Sequence, residues 1–288
     1  MFQLRIGFMA SLGFEEMPAD EVVDMLAGLG YDAVSWPLSR FHPLNTSRTE
    51  RNETVKTCKS AGLSISEFIL QQDFIHTDRI TRRSRVNFCI QTLNCLADLN
   101  IRAPVNIFSG PAPWDAGAPR LGKDVSEGEA WEMLFDALDE LVPVAERLSI
   151  PLAMEGVFGH LVHDYYTTQE LFRRYHSEVL GVNFDPSHGL LVGNDIPWAV
   201  EQLGATIFHV HLKDVVGKPG MPDENFSFPL LGEGVVPWKP FFNALEKIKY
   251  GWFCTVEFEA FRYYQNVLKN NPVQAALTSF TNVQALLH

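Results

Sequence analysis

The sequence predicts an α/β protein folded as a single (β/α)8 TIM barrel spanning residues 1–288. Three observations predict it. Short apolar runs alternate with longer amphipathic ones from end to end, which implies parallel strands joined by helical crossovers. The length suits one barrel of ~250 residues or slightly more, and no linker, repeat or low-complexity stretch marks a second domain. The turn after the first apolar run, Gly7-Phe8-Met9-Ala10-Ser11-Leu12-Gly13, lacks the glycine spacing that opens a dinucleotide-binding open sheet.

The first strand is expected over 4–9, an apolar run broken only by Arg5, and its helix over 18–29 starts at Pro18. The second pair is a strand at 33–36 and a helix over 47–61, stopped by Gly62. A third strand at 63–68 precedes a helix over 78–99. There Arg79, Arg82, Arg83 and Arg85 recur at the spacing of a solvated helix face. The fourth strand, 103–108, leads into a Pro- and Gly-rich loop at 109–124 carrying Trp114, then a helix over 126–148. Strands at 151–155 and 181–185 precede helices over 167–176 and 195–203, the latter announced by Asp195 ahead of Ile196-Pro197. The seventh strand, 207–212, is followed by a long loop at 215–234 and a helix over 237–248. The last strand, 252–258, leads into a final helix past 262. Long loops after barrel strands shape or cover the substrate site.

Bulk properties narrow the function. Hydrophobic residues make up 46% of the chain, as in an ordinary globular protein with a large core. The net charge of −12 repels phosphate backbones, so no nucleic-acid partner is expected. Cys58, Cys89, Cys95 and Cys254 form no CxxC pair and read as reduced, mostly buried thiols. The first residues carry no signal-peptide pattern, and no apolar run approaches the ~20 residues of a membrane span. The expectation is a soluble cytoplasmic protein with no membrane partner.

Four successive strand candidates end in groups able to hold a divalent metal: Glu155, Asp185, His211 and Glu257. In a parallel barrel those ends converge on one mouth. Taken singly, Glu155 reads equally well as a strand-end glutamate in a surface salt bridge. Asp185 can cap the next turn through the Ser187 and His188 amides, or His188 can fold back over it. His209 and His211 are two apart, so both face one side of their strand. His209, the deeper, reads as core and His211 as a ligand. Glu257 and Glu259 are likewise same-face neighbours; Glu257 is the ligand candidate, and Glu259 either supports the ligands from behind or contacts substrate. Three carboxylates and one imidazole favour Mn²⁺ foremost, with Mg²⁺, Co²⁺ or Zn²⁺ as alternatives. Phe8, Trp36, Phe68 and Trp114 are candidates for an apolar wall against a substrate, with ordinary core packing the rival reading for each.

Together with Leu231-Gly232-Glu233-Gly234 and the run His209-Val210-His211-Leu212-Lys213-Asp214, these motifs resemble the sugar isomerase/epimerase superfamily. This is the xylose isomerase-like barrel group that also holds ketose 3-epimerases, inosose dehydratases, hydroxypyruvate isomerases and endonuclease IV-type repair enzymes. The resemblance implies one divalent metal on Glu155, Asp185, His211 and Glu257, with Glu155 and Glu257 as the catalytic acid/base pair. It also implies a substrate-binding His188, a small sugar or polyol substrate, and a homodimer or homotetramer. Lys213 or Lys218 stands in for an arginine that ketose 3-epimerases carry beyond the metal histidine, and His160 and His163 are further candidates for substrate contact. Two departures argue against a repair nuclease with three metals. The fourth strand ends Asn106-Ile107-Phe108-Ser109 without histidine, and Phe226-Ser227-Phe228-Pro229 stands where that group has Asp-x-His. The expected function is a metal-dependent isomerase or epimerase working through an enediolate. A dehydratase of the inosose type at the same site is the alternative, followed by a repair endonuclease or a non-catalytic sugar-binding barrel.

Overall fold

The computed structural model describes residues 3–217 and 225–288. Eight parallel strands close a barrel: β1 (Arg5–Met9), β2 (Ala33–Pro37), β3 (Ser64–Ile69), β4 (Val105–Phe108), β5 (Leu152–Glu155), β6 (Leu180–Phe184), β7 (Ile207–Leu212) and β10 (Phe253–Val256). Closure comes from β1, which pairs with β2 on one side and β10 on the other. A two-stranded antiparallel ribbon, β8 (Val216–Gly217) with β9 (Phe226–Ser227), stands apart from the barrel, in the long loop after β7. The expected fold class is therefore observed.

Helices follow the strands in turn: α1 (Ala19–Leu29), α2 (Arg48–Ser60), α3 (Arg79–Ala97), α4 (Glu127–Leu148) and α5 (Tyr165–Arg174), then α6 (Pro186–Leu191), α7 (Ile196–Leu203), α8 (Trp238–Lys247), α9 (Phe261–Asn266) and α10 (Pro272–Leu287). Their starts are set by side chains that satisfy the free amides of the first turn. Ser47 with Glu50 and Ser126 with Glu129 form reciprocal capping boxes on α2 and α4. Asp78, Asp195 and Asn271 cap α3, α7 and α10. Among the described residues, no helix is long and apolar enough to cross a membrane. Cys58, Cys89, Cys95 and Cys254 are free thiols.

Four local expectations change. The single final helix expected past 262 is two, α9 and α10. The fourth strand starts at Val105 rather than 103, after Pro104, which has no amide to give a strand. The last strand ends at Val256, leaving Glu257 just beyond it, although the Glu257 amide still donates to Leu212 O at 3.2 Å. The tight turn expected at 185–188 opens a short helix, α6, with Pro186 in its first turn.

The strand parity decides what faces the barrel axis. Gly7 of β1 points inward, where an added Cβ would lie 2.9 Å from Thr255 Oγ1 and 3.2 Å from Ser66 Oγ. Ser35, Ser66 and Thr255 close a buried hydroxyl triangle there, with edges of 2.8, 3.1 and 3.1 Å. Ser66 and Glu67 are consecutive, so a regular strand would send one of them outward. A register shift between β2 and β3 pairs Val34 with Ile65 but Ser35 with Glu67. This bulge turns both side chains to the interior.

Candidate active site

The C-terminal ends of β5, β6, β7 and β10 bring four donors together. Glu155 is the last residue of β5, Asp185 caps α6 directly after β6, His211 lies in β7, and Glu257 follows β10. One donor atom from each lies within 4.8 Å of the others. His211 Nδ1 is 3.3 Å from Glu155 Oε1 and 3.4 Å from Glu257 Oε2. Asp185 serves both purposes foreseen for it. Its Oδ1 accepts from the Ser187 amide at 2.8 Å and the His188 amide at 3.4 Å, while its Oδ2 faces His188 Nε2 at 3.6 Å.

Lys213 and His188 complete this cluster. The buried Lys213 ammonium lies 2.6 Å from Glu257 Oε2, 3.0 Å from Asp185 Oδ2, 3.1 Å from Glu259 Oε2 and 3.2 Å from His188 Nε2. Burial alone would raise the carboxyl pKa values, but neighbouring cations oppose it. Against that burial, Lys213 and His211 hold Glu257 well below the ordinary range, and Lys213 and His188 lower Asp185. Glu155 is raised, since burial outweighs its contact with His211. Glu259 is pushed up to about 7 by burial and by the neighbouring Glu257, against the pull of Lys213. His188 is driven down to about 4 by burial and by Lys213.

Three interior residues were not foreseen. Glu67 is fully buried on β3, with Oε1 2.7 Å from His211 Nε2 and 3.2 Å from His209 Nε2. Burial would raise its pKa, yet the two imidazoles hold it well below the usual value. Asn106 donates to Glu155 Oε2 at 2.7 Å, and Asn183 donates to Glu67 Oε2 at 3.4 Å. The sequence did carry one signal, a glutamate inside the apolar run Ile65-Ser66-Glu67-Phe68-Ile69, with no lysine or arginine among its neighbours. His209 takes the core position expected of it, fully buried beside Glu67.

Five carboxylates, those of Glu67, Glu155, Asp185, Glu257 and Glu259, thus share the cations of His211 and Lys213. Among the described residues, Asp185 Oδ2 is met by the Lys213 ammonium at 3.0 Å and faces the His188 ring at 3.6 Å. Buried negative charge in excess of positive charge is costly, and a divalent cation among the four donors would offset it. Carboxylate-rich donor sets of this kind suit hard or borderline divalent metals. Glu155, Asp185, His211 and Glu257 fit such an ion, whose identity the donor set leaves open.

The aromatic candidates divide. Trp114 is 59% exposed and packs by the mouth, with its ring 5.3 Å from the ring of the buried His160. His160 also meets Phe108 at 5.2 Å, and neither of its ring nitrogens has a hydrogen-bond partner among the described residues. Phe8, Trp36 and Phe68, by contrast, are not at the mouth. Each follows an inward residue (Gly7, Ser35 or Glu67) and so points to the helices. Phe8 packs on Phe14 and Tyr31, Trp36 lies under the Arg40 guanidinium, and Phe68 packs on Phe41. The aromatic residues over the cluster are others. Phe158 lies 5.4 Å from His188 and 4.9 Å from Phe226, and Phe228 sits under the Lys213 ammonium at 4.8 Å. His163 Nδ1 bonds to the His160 carbonyl at 2.9 Å and stays at the edge, while Lys218 lies outside the described residues.

Known proteins share this arrangement of strands and helices. The inosose dehydratase of Geobacillus thermodenitrificans (strain NG80-2) is 28% identical over 167 residues, covering 54% of this chain and 54% of that protein. The chain spans about half the length of the first curated relatives it matches. Among solved structures, the IOLI protein with a bound zinc atom superposes with a TM-score of 0.77 at 17% identity, covering 99% of this chain and 98% of the other. The D-psicose 3-epimerase of Clostridium cellulolyticum H10, solved with D-tagatose, gives a TM-score of 0.77 at 16% identity over 99% and 98% of the two chains. The relatives and structural neighbours thus include sugar epimerases and inosose dehydratases. A family model described as the xylose isomerase-like TIM barrel matches residues 23–281, and the chain belongs to that family.

Proposed function

We propose that this protein is a divalent-metal-dependent isomerase or epimerase of a small sugar or polyol ketone. The convergence of Glu155, Asp185, His211 and Glu257 donors within 4.8 Å, in a pocket with more negative than positive charge, carries this reading. When bound, a divalent cation polarises the substrate carbonyl and stabilises charge on its oxygen; manganese is our first choice for a site of three carboxylates and one imidazole. Glu257, kept ionised beside Lys213, removes the proton from the carbon next to the carbonyl. Glu155, whose carboxyl pKa burial raises, returns a proton on the other side. Lys213 is positioned to donate to the developing enediolate oxygen, and His188 to a neighbouring hydroxyl. Phe158, Phe228 and the His160–Trp114 pair keep water from the reacting carbon.

The inosose dehydratase relatives and the Glu259 carboxyl, pushed up to about 7, favour one second reading. After the same proton abstraction, the C–O bond on the adjacent carbon breaks, and Glu259 gives its proton to the departing hydroxyl, releasing water. Proton NMR in D₂O over a panel of ketoses and inososes, with and without EDTA, tests both readings. Metal-dependent deuterium uptake beside the carbonyl is expected, and a product lacking one water would favour the dehydratase. Glu257→Gln should lower turnover by at least ~100-fold, the scale of a lost general base. Uptake unaffected by both EDTA and Glu257→Gln would refute the proposal.

A further inference from the structure

The inward turn of Glu67 gives His211 a partner on the side away from the proposed metal. The imidazole of His211 lies between two carboxylate sets. Its Nδ1 looks toward Glu155 and Glu257 at 3.3 and 3.4 Å, and its Nε2 meets Glu67 Oε1 at 2.7 Å. All three of these contacts are with carboxylate oxygens, and Nδ1 is the nitrogen beside Glu155 and Glu257, two of the four converging donors. An imidazole binds a cation through a bare nitrogen, and which nitrogen is bare depends on what holds the proton of the other. Asn183 Nδ2 also approaches Nε2, at 3.1 Å. An amide there would call for a bare Nε2, whereas a carboxylate at 2.7 Å calls for Nε2–H. The shorter, charged contact dominates.

We propose that Glu67 is a positioning residue for the metal centre: by accepting the Nε2–H of His211, it presents the Nδ1 lone pair to the cation. This rests on the reading that Glu155, Asp185, His211 and Glu257 hold a metal. The bulge at Ser66 is what permits the arrangement, since without it Ser66 and Glu67 could not both face the axis. His209, 3.2 Å from the same oxygen, limits the positions that Glu67 Oε1 can take.

Glu67→Gln and Glu67→Leu test the proposal on the full-length, metal-stripped chain, with Mn²⁺ and Zn²⁺ affinities measured by competition against a fluorescent chelator. Loss of such a partner commonly weakens metal binding ~10–100-fold. About 10-fold is expected for Glu67→Gln, which keeps a weaker acceptor, and more for Glu67→Leu. In the zinc-loaded wild type, the His211 Nε2–H should appear as a slowly exchanging downfield proton resonance, shifted upfield in Glu67→Gln. A general loss of packing would not move that one resonance alone. If Glu67→Leu fails to fold, the near-isosteric Glu67→Gln decides. A Glu67→Gln affinity within twofold of wild type, with the resonance unmoved, overturns the proposal while leaving the metal site intact. A wild type that binds neither ion removes the metal reading itself, and this inference with it.

Discussion

His160 is held neutral by its surroundings. Burial, with smaller contributions from His188 and His163, pushes its pKa down from 6.5 to about 3. The folded state therefore binds fewer protons than the unfolded chain between those values. Its contribution to stability is full above pH 6.5 and is lost as pH falls toward about 3. Each such group adds a slope of up to ~1.4 kcal/mol per pH unit. We expect His160→Phe, which suits the space between Phe108 and Trp114, to flatten the loss of melting temperature over that acid range. Parallel profiles for wild type and variant would show that His160 titrates normally. At this scale the sequence was legible where a polar residue ends an apolar strand, as at Glu155 and His211. Glu67 was legible only as a glutamate within an apolar run; its inward orientation was not, because it depends on a bulge that no residue at that position announces. Phe8 was misplaced for a related reason, since the inward position of β1 is occupied by a glycine with no side chain to show it.

Asp214 ties one element to another. Its Oδ1 accepts from the Val215 and Val236 amides at 2.9 and 3.1 Å. Its Oδ2 accepts from the Gly232 and Gly234 amides at 2.9 and 3.0 Å and from Trp238 Nε1 at 3.0 Å. The Leu231-Gly232-Glu233-Gly234 motif is thus the far half of a clamp that begins at the end of β7. Gly234 is required by close approach, since an added Cβ would lie 2.1 Å from Asp214 Oδ1. We expect Asp214→Asn, which turns an amino group toward some of those donors, to cost about 2–4 kcal/mol in urea unfolding. A cost within ~0.5 kcal/mol, the range of an ordinary surface change, would mean that the loop is held by other contacts. The elements themselves were legible to within a few residues, because capping residues such as Ser126 and Asp195 punctuate them. The exceptions are α6 and α9, whose six residues each are too few to show a helical period, and the two-residue strands β8 and β9.

For the whole molecule, the four candidate ligands sit on the unbroken arc β5–β6–β7–β10, and β1, β2 and β4 supply none of them. A cation bound there would tie that arc together. Holding metal at ~100 times its dissociation constant should stabilise the fold by ~2.7 kcal/mol. Chelation is expected to lower the melting temperature accordingly and to speed amide exchange in β5, β6, β7 and β10 more than in β2 and β3. Equal melting temperatures with and without EDTA would contradict a metal in this place. The barrel itself was legible from strand and helix alternation, which needs no long-range information. Which side chains meet across the axis was not, because that depends on shifts in register between neighbouring strands.

The seam between β1 and β10 has a consequence for biosynthesis. Arg5 pairs with Phe253, so the first strand made waits for the last before the barrel can close. At ~5–20 residues per second, that wait lasts ~12–50 s. Throughout it, β1 and whichever strand came last are open edges that can pair with other nascent chains. Glu257, one of the four converging donors, follows β10, the last barrel strand to be made, so those donors cannot come together before the barrel is complete.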